Sequence, residues 1–285
     1  MSIDPTILAW IIIVIIKPSP ALSPYISHFM HVKLEKTMQT YLSATSTPTL
    51  VLFRRGGVRL MEEGVLAEKV PLAYIDGPFL SPRRSKAEDE SEVISVHFKP
   101  AALGFFVHEN APVFLNQSVA LSDMTDTDWC GLHDQVVEAP GVQEAIRFIE
   151  ARFLRLFLNR NLKLKRPLKP LLLSTGAILS STKVLADSYD ISVRQFERRF
   201  KLSYGMSARE WRRLARASQA LIALLGSSQS NNMAMIAQQA HYFDHAHFCR
   251  DFKTLTGLSP ALFRERVIAD PAFWPFRAFL LVSGK

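Results

Sequence analysis

Up to about residue 98 the apolar positions come in short β-type runs, and beyond it they fall at helical spacing. Met30–Lys36, Thr49–Arg54, Val58–Met61, Val70–Ile75 and Val93–Phe98 predict strands, with Arg55-Gly56-Gly57 as a hairpin between the second and third. The opening run Ile7–Ile16 holds six isoleucines and one valine in ten residues, the composition of a buried strand. It has about half the length of a membrane span, and it lacks the basic start and small-residue cleavage site of an export signal. Left uncovered, such a run is prone to aggregation. Pro18–Pro24 breaks it, and Tyr25–Phe29 reads as a short helix or turn. Arg83–Glu92 mixes both charge signs with little apolar content, which predicts a solvated, mobile loop.

After Pro100, Leu103, Phe106 and Val107 form an apolar helical face, and Asp123–Trp129 reads as a capped turn. Val142–Leu158 predicts the longest amphipathic helix, with Val142, Ala145, Ile146, Ile149, Phe153, Leu156 and Phe157 on one side. Asn159–Pro170 then carries two prolines and five basic residues. It is a basic hinge, or equally a segment that lies along phosphates. A short helix near Leu171–Leu173 follows.

One pattern then occurs twice. Ser192–Ser207 and Asp244–Ser259 share Phe196/Phe248, Arg198/Arg250, Phe200/Phe252, Lys201/Lys253, Gly205/Gly257 and Ser207/Ser259 at an offset of 52. Upstream, Leu185-Ala186 matches Ile236-Ala237 at an offset of 51. Each copy reads as helix, tight turn, helix. In the first, Val184, Leu185 and Tyr189 supply an apolar stripe, Asp190-Ile191 the turn and Ser192 the N-cap. Phe196 and Phe200, four apart, bury one face and leave Arg194, Glu197, Arg198 and Lys201 outside. In the second, Asp244 caps, Phe248 and Phe252 bury, and His245, Cys249, Arg250 and Lys253 stay outside. A helix pinned by two aromatics with a basic outer face suits the DNA major groove. A helix at about Ala208–Leu225, ~27 Å long at ~1.5 Å per residue, would hold the two reading helices apart. Ser227–Asn232 is a polar break before the second copy.

Residues from about 175 to 266 resemble the DNA-binding domain of AraC/XylS-type bacterial transcription regulators. The resemblance is clearest in HYFDHAHFCRDFKTLTGLSPALFRE, which is similar to the family's second-motif signature. Asp190 and His241 stand at turn positions where the family usually has Gly, and Ala208 replaces the usual Pro after Gly205-Met206-Ser207. VHFKPAALGFFV, with the PSPAL entry and the long helix, resembles the N-terminal domain of a subset of these regulators, where F-x-P-G-G ends the strand; here Ala101-Ala102 replace the glycines. The resemblance implies a regulatory or dimerising role for that domain. It also implies that Arg194, Glu197 and Arg198 in the first helix, and His245, Ala246, Cys249 and Arg250 in the second, face base edges. Chemistry agrees for Arg on guanine and Glu on cytosine. Arg199, Lys201, Arg212 and Lys253 are expected on phosphates, setting affinity and salt dependence.

Charge sharpens the division. Net charge is +8, but residues 1–160 hold 15 basic and 18 acidic side chains, and residues 161–285 hold 19 and 8. A basic half bearing the repeat is the footprint of a polyanion binder. Two cysteines, Cys130 and Cys249, imply no disulfide framework and a reducing, cytoplasmic setting. His245 and Cys249 stand four apart, a workable metal geometry, but His241 is in the turn and His247 is on another face. Asp123, Asp126 and Asp128 lack the Gly and terminal Glu of a calcium loop. No nucleophile elbow, phosphate loop or paired His/carboxylate motif is present, so no cofactor, metal or catalytic residue is expected and the chain is read as a non-enzyme.

The expected fold class is an α+β N-terminal domain, β-rich and then helical, followed by an all-α domain with two helix-turn-helix motifs. Expected boundaries are 1–160 for the regulatory domain, 161–170 for the linker, 171–268 for the DNA-binding domain and 269–285 for an apolar tail. The expected function is a sequence-specific transcription regulator that puts two helices in successive major grooves. Double-stranded DNA, a small-molecule effector in the N-terminal domain, a second copy of the chain and RNA polymerase are the expected partners, with no membrane. The alternative is a ligand-processing or DNA-repair enzyme that uses the motif pair for targeting.

Overall fold

The structure is a computed structural model that describes residues 10–62, 64–125, 127–161, 180–226 and 233–282. Ten strands come first: β1 Ile11–Ile16, β2 Ile26–Leu34, β3 Met38–Leu42, β4 Thr49–Arg55, β5 Val58–Glu62, β6 Val65–Lys69, β7 Ala73–Asp76, β8 Arg83–Ala87, β9 Glu92–Phe98 and β10 Ser118–Ala120. They form two antiparallel sheets, in the orders β1-β2-β9-β4-β7-β10 and β3-β8-β5-β6. Alternation along β4 shows how both faces are used. Leu50 and Leu52 join Ile75, Ile94 and Val96 beneath two helices, α1 Leu132–Glu138 and α2 Val142–Asn161. Val51 and Phe53 turn the other way, onto Val58 and Tyr74, between the sheets.

The predicted apolar side of α2 is the one that is buried. Phe153 at its centre meets Phe98, Phe106 and Trp129 edge-on, at centroid distances of 5.6, 4.7 and 5.7 Å. Such pairs contribute about 0.5–1.5 kcal/mol each beyond burial.

Several local expectations are overturned. Arg55-Gly56-Gly57 is not a hairpin: β4 pairs with β7 and β9, whereas β5 pairs with β6 and β8, so the turn carries the chain between sheets. Gly56, at φ +72°, packs directly on Ser91, a site with no room for a side chain. Arg83–Ala87, expected as mobile loop, is an interior strand of the second sheet, because β3 and β5 satisfy its backbone from both sides. Tyr25–Phe29 is mostly strand, since β2 already begins at Ile26. β1 is an edge strand rather than a buried one. Of the expected apolar stripe, Leu185 is buried and Tyr189 half-buried, but Val184 is exposed and Ala186 is buried in its place. Ile7–Ala9, Asp126, the linker beyond Asn161, the helix near Leu171–Leu173 and the break at Ser227–Asn232 lie outside the described residues.

The C-terminal part is helical: α3 Thr182–Ser188, α4 Val193–Tyr204, α5 Ala208–Gly226, α6 Met233–Gln239, α7 His245–Thr256, α8 Pro260–Ala269 and α9 Trp274–Val282. α5 is its spine. Trp211, Leu214 and Ala215 from its first half pack with Phe196 and Phe200, and Ala220, Leu224 and Leu225 from its second half pack with Phe248 and Phe252. The N-terminal half lies against the C-terminal ends of both α4 and α7, through Ala111 at Gly205 and through Tyr41 at Gly257. The Ala44 amide donates to the Leu255 carbonyl at 2.8 Å, and the Tyr41 hydroxyl donates to the Thr256 carbonyl. Trp274 of the tail donates its indole N–H to Thr40 Oγ1 at 3.0 Å, and Phe273 stacks on Tyr41 at 4.5 Å.

Candidate nucleic-acid interface

Each recognition helix begins at a side-chain cap. Ser192 Oγ accepts from the Gln195 amide at 3.2 Å, and Gln195 Oε1 accepts from the Ser192 amide at 3.3 Å, a reciprocal capping box. In the second copy Asp244 Oδ1 accepts from the His247 amide at 2.6 Å. The preceding turns also match. The Ile191 amide donates to the Ala186 carbonyl at 3.2 Å and the Tyr242 amide to the Ala237 carbonyl at 2.9 Å. Asp190 and His241 both take positive φ, +52° and +60°. Ala101, a further position where the resemblance has glycine, is also left-handed, at φ +60°. Gly205 and Gly257 close α4 and α7 as left-handed C-caps.

Phe196 and Phe200 are fully buried, as are Phe248 and Phe252, which fixes the rotation of each helix about its axis. Arg194, Glu197, Arg198, Arg199 and Lys201 are exposed along α4. His245, Ala246, Arg250 and Lys253 are exposed along α7, and Cys249 is half-buried beside them. Cys249 Sγ stands 3.4 Å from His245 Nε2, and burial pushes its thiol pKa upward, which keeps it protonated and unreactive at neutral pH. Among the described residues no group of three or more His, Cys, Asp or Glu is placed to hold a metal ion.

Arg212 differs from the other expected phosphate contacts. It is half-buried, and its guanidinium donates to the Ser180 carbonyl at 2.7 Å and to Thr182 Oγ1 at 2.9 Å, so it braces the start of α3 from α5. Two further residues matter that sequence reasoning passed over. Asp251, buried on α7, accepts from Arg213 Nε at 2.8 Å and lies 3.7 Å from His247 Nε2, tying the second recognition helix to the spine. The equivalent position in α4 is the exposed Arg199, so the repeat alone hid this contact. Phe243 is 94% exposed at the entrance to α7. Its signal was a large apolar side chain in a polar turn.

A helix-turn-helix domain family matches residues 185–266, and a domain of unknown function, DUF6597, matches residues 14–120. Comparison with curated protein sequences gave no match. Among solved structures, ToxT from Vibrio cholerae is 13% identical, over 83% of this chain and 97% of its own, with a TM-score of 0.44. A transcriptional regulator from Chromobacterium violaceum, described as an AraC-type DNA-binding domain-containing protein, is 24% identical over 32% of this chain and 80% of its own, with a TM-score of 0.29. The C-terminal domain of the response regulator yesN from Fusobacterium nucleatum is 23% identical over 30% of this chain and 82% of its own, with a TM-score of 0.28. No helix among the described residues is long and apolar enough to cross a membrane. The matched region spans α4, α7 and the spine α5 between them, and this part of the chain is a helix-turn-helix domain.

Proposed function

We propose that α4 and α7 enter successive major grooves on one face of double-stranded DNA and read it sequence-selectively. The observation that carries this is the matched presentation of two helices, each capped, pinned by two buried phenylalanines and exposed along its charged side. The 19-residue spine α5 is ~28 Å long, compatible with the one-turn separation of groove contacts. Arg194, Glu197 and Arg198 read one half-site, and His245, Ala246, Cys249 and Arg250 the other, where Phe243 adds an apolar edge suited to a thymine methyl. Arg199, Lys201 and Lys253 hold phosphates. Arg212 supports this set by bracing α3 and reaches phosphate only through the residue of its positive field.

The first half-site is the stronger in this reading, because its reader carries two arginines and a glutamate against one arginine in the second. The N-terminal domain modulates binding through its seats on the ends of both recognition helices, and a small-molecule effector held there would act by that route. A second copy of the chain and RNA polymerase are the further partners. The domains behind this reading are 1–160 and 171–268, joined by a basic linker at 161–170 and followed by the tail 269–285.

The test is binding of the full chain to a randomised duplex library across a salt series. Enrichment of a bipartite site, with affinity falling steeply as salt rises, is expected. Equal affinity for every sequence, or none, would remove the specific-regulator reading.

A further inference from the structure

β1 is one outer edge of the six-stranded sheet, and among the described residues no strand pairs with its far side. The Glu35 amide donates to the Trp10 carbonyl, which fixes the parity of the β1–β2 ladder. Ile12, Val14 and Ile16 turn their backbone groups toward β2, and Ile11, Ile13 and Ile15 turn theirs outward. Natural sheets blunt such an edge with proline, a bulge or a charge, and the strand IIIVII has none of these. On one face Ile12 and Val14 are 48% and 42% exposed, although the same face is covered by helices from Phe29 and Ile94 onward.

We propose that two copies of this chain pair through β1, antiparallel, about a two-fold axis at Ile13. This gives the second-copy partner of the proposed regulator a defined surface, and it rests on that reading only for its biological purpose. Register selects the axis. Centred on Ile13, Ile11 of each copy faces Ile15 of the other and Ile13 faces its counterpart, so every outward N–H and C=O finds a partner. Centred on Ile12 or Val14, one of these pairs falls beyond the strand. The same register sets Ile12 of each copy against Val14 of the other on the exposed face, joining four side chains into one apolar strip. No charge within the strand opposes the pairing, and the contact is isologous and closed.

Sedimentation velocity of the full chain is expected to give twice the 32.2 kDa of one copy at micromolar concentration. Ile12→Glu and Val14→Lys, each folded by circular dichroism, should sediment as monomers. Mixing them should restore the dimer, because position 12 of one faces position 14 of the other with opposite charge. A monomeric wild type, a dimer in either variant alone, or no recovery on mixing would overturn the pairing. Hydrogen exchange reads the edge without substitution: the Ile11, Ile13 and Ile15 amides should gain protection as concentration rises, and free exchange in a dimeric sample would overturn the assignment. A monomer that still binds DNA selectively defeats only this interface, and a dimer that ignores DNA defeats only the regulator reading.

Discussion

Gly205 and Gly257 end the two recognition helices in the same left-handed conformation, φ +79° and +76°, and both lie against the N-terminal domain. A Cβ at position 205 would stand 2.8 Å from the Ala111 carbonyl oxygen, and one at 257 would stand 2.5 Å from the Tyr41 hydroxyl. The repeat presents one corner twice, and the N-terminal domain touches it both times. Gly257→Ala is therefore expected to cost about 1–2 kcal/mol through its backbone conformation alone, with a further loss from displacing Tyr41 off the Thr256 carbonyl. Urea unfolding of the full chain measures it. An unchanged midpoint would mean that this corner is not held as described.

Base readers and phosphate contacts should separate by mutation. Arg250→Ala is expected to cost about 1–3 kcal/mol at one half-site and to relax its sequence preference. Lys201→Ala should weaken binding on all sequences and reduce the salt slope by about 1. Titrations against matched and mismatched duplexes at several salt concentrations distinguish the two. Uniform loss in both variants would refute the division of roles.

Arg277 is fully buried and donates to the Val267, Ile268 and Asp270 carbonyls, closing the C-terminal end of α8 from the tail helix α9. Arg277→Met keeps much of the side-chain bulk and strands those acceptors. A loss of about 1–3 kcal/mol is expected, read by chemical denaturation. If stability is unaffected, the tail is not a structural part of the second motif.

The turn residues Asp190 and His241 occupy left-handed backbone that favours glycine. His241→Gly should raise the stability of the full chain by up to about 1 kcal/mol, the relief of strain outweighing the entropy gained by the unfolded chain. A lower melting temperature would show that the imidazole contributes more than its backbone costs.

His97 on β9 stacks on His28 at 4.3 Å, with its Nε2 3.0 Å from Ser95 Oγ. Desolvation in its packed surroundings, and secondarily the charge of His28, push its pKa down to about 3 from 6.5. The folded state therefore resists a proton that the unfolded state accepts. This contribution to stability is complete above about pH 6.5 and is lost as pH falls toward 3. Unfolding free energy followed against pH should fall less steeply in His97→Gln over that window. Parallel curves would place the acid sensitivity elsewhere.

Local patterns carried most of the helix-turn-helix half. Phe196, Phe200, Phe248 and Phe252 at four-residue spacing, with Ser192 and Asp244 as caps, are short-range facts that each helix obeys on its own. α2 was legible for the same reason. The strands around β4 were legible as strands, but not as neighbours. Pairing is a long-range choice, and Gly56, which looked like a hairpin turn, instead crosses between two sheets because of Ser91 beneath it. Arg83–Ala87 looked like loop because charged side chains were taken as a sign of missing structure, whereas its backbone is held from both sides. Arg212 looked like a phosphate contact, and nothing in the pattern singled out Asp251. Only packing on Ser180, Thr182 and Arg213 assigned them to holding the motifs together. The chain's own order thus determined which helices face outward and with what chemistry. Tertiary structure decided what they lean on, since the N-terminal seats at Ala111 and Tyr41 lie far from the repeat in sequence and meet it only when the chain is folded.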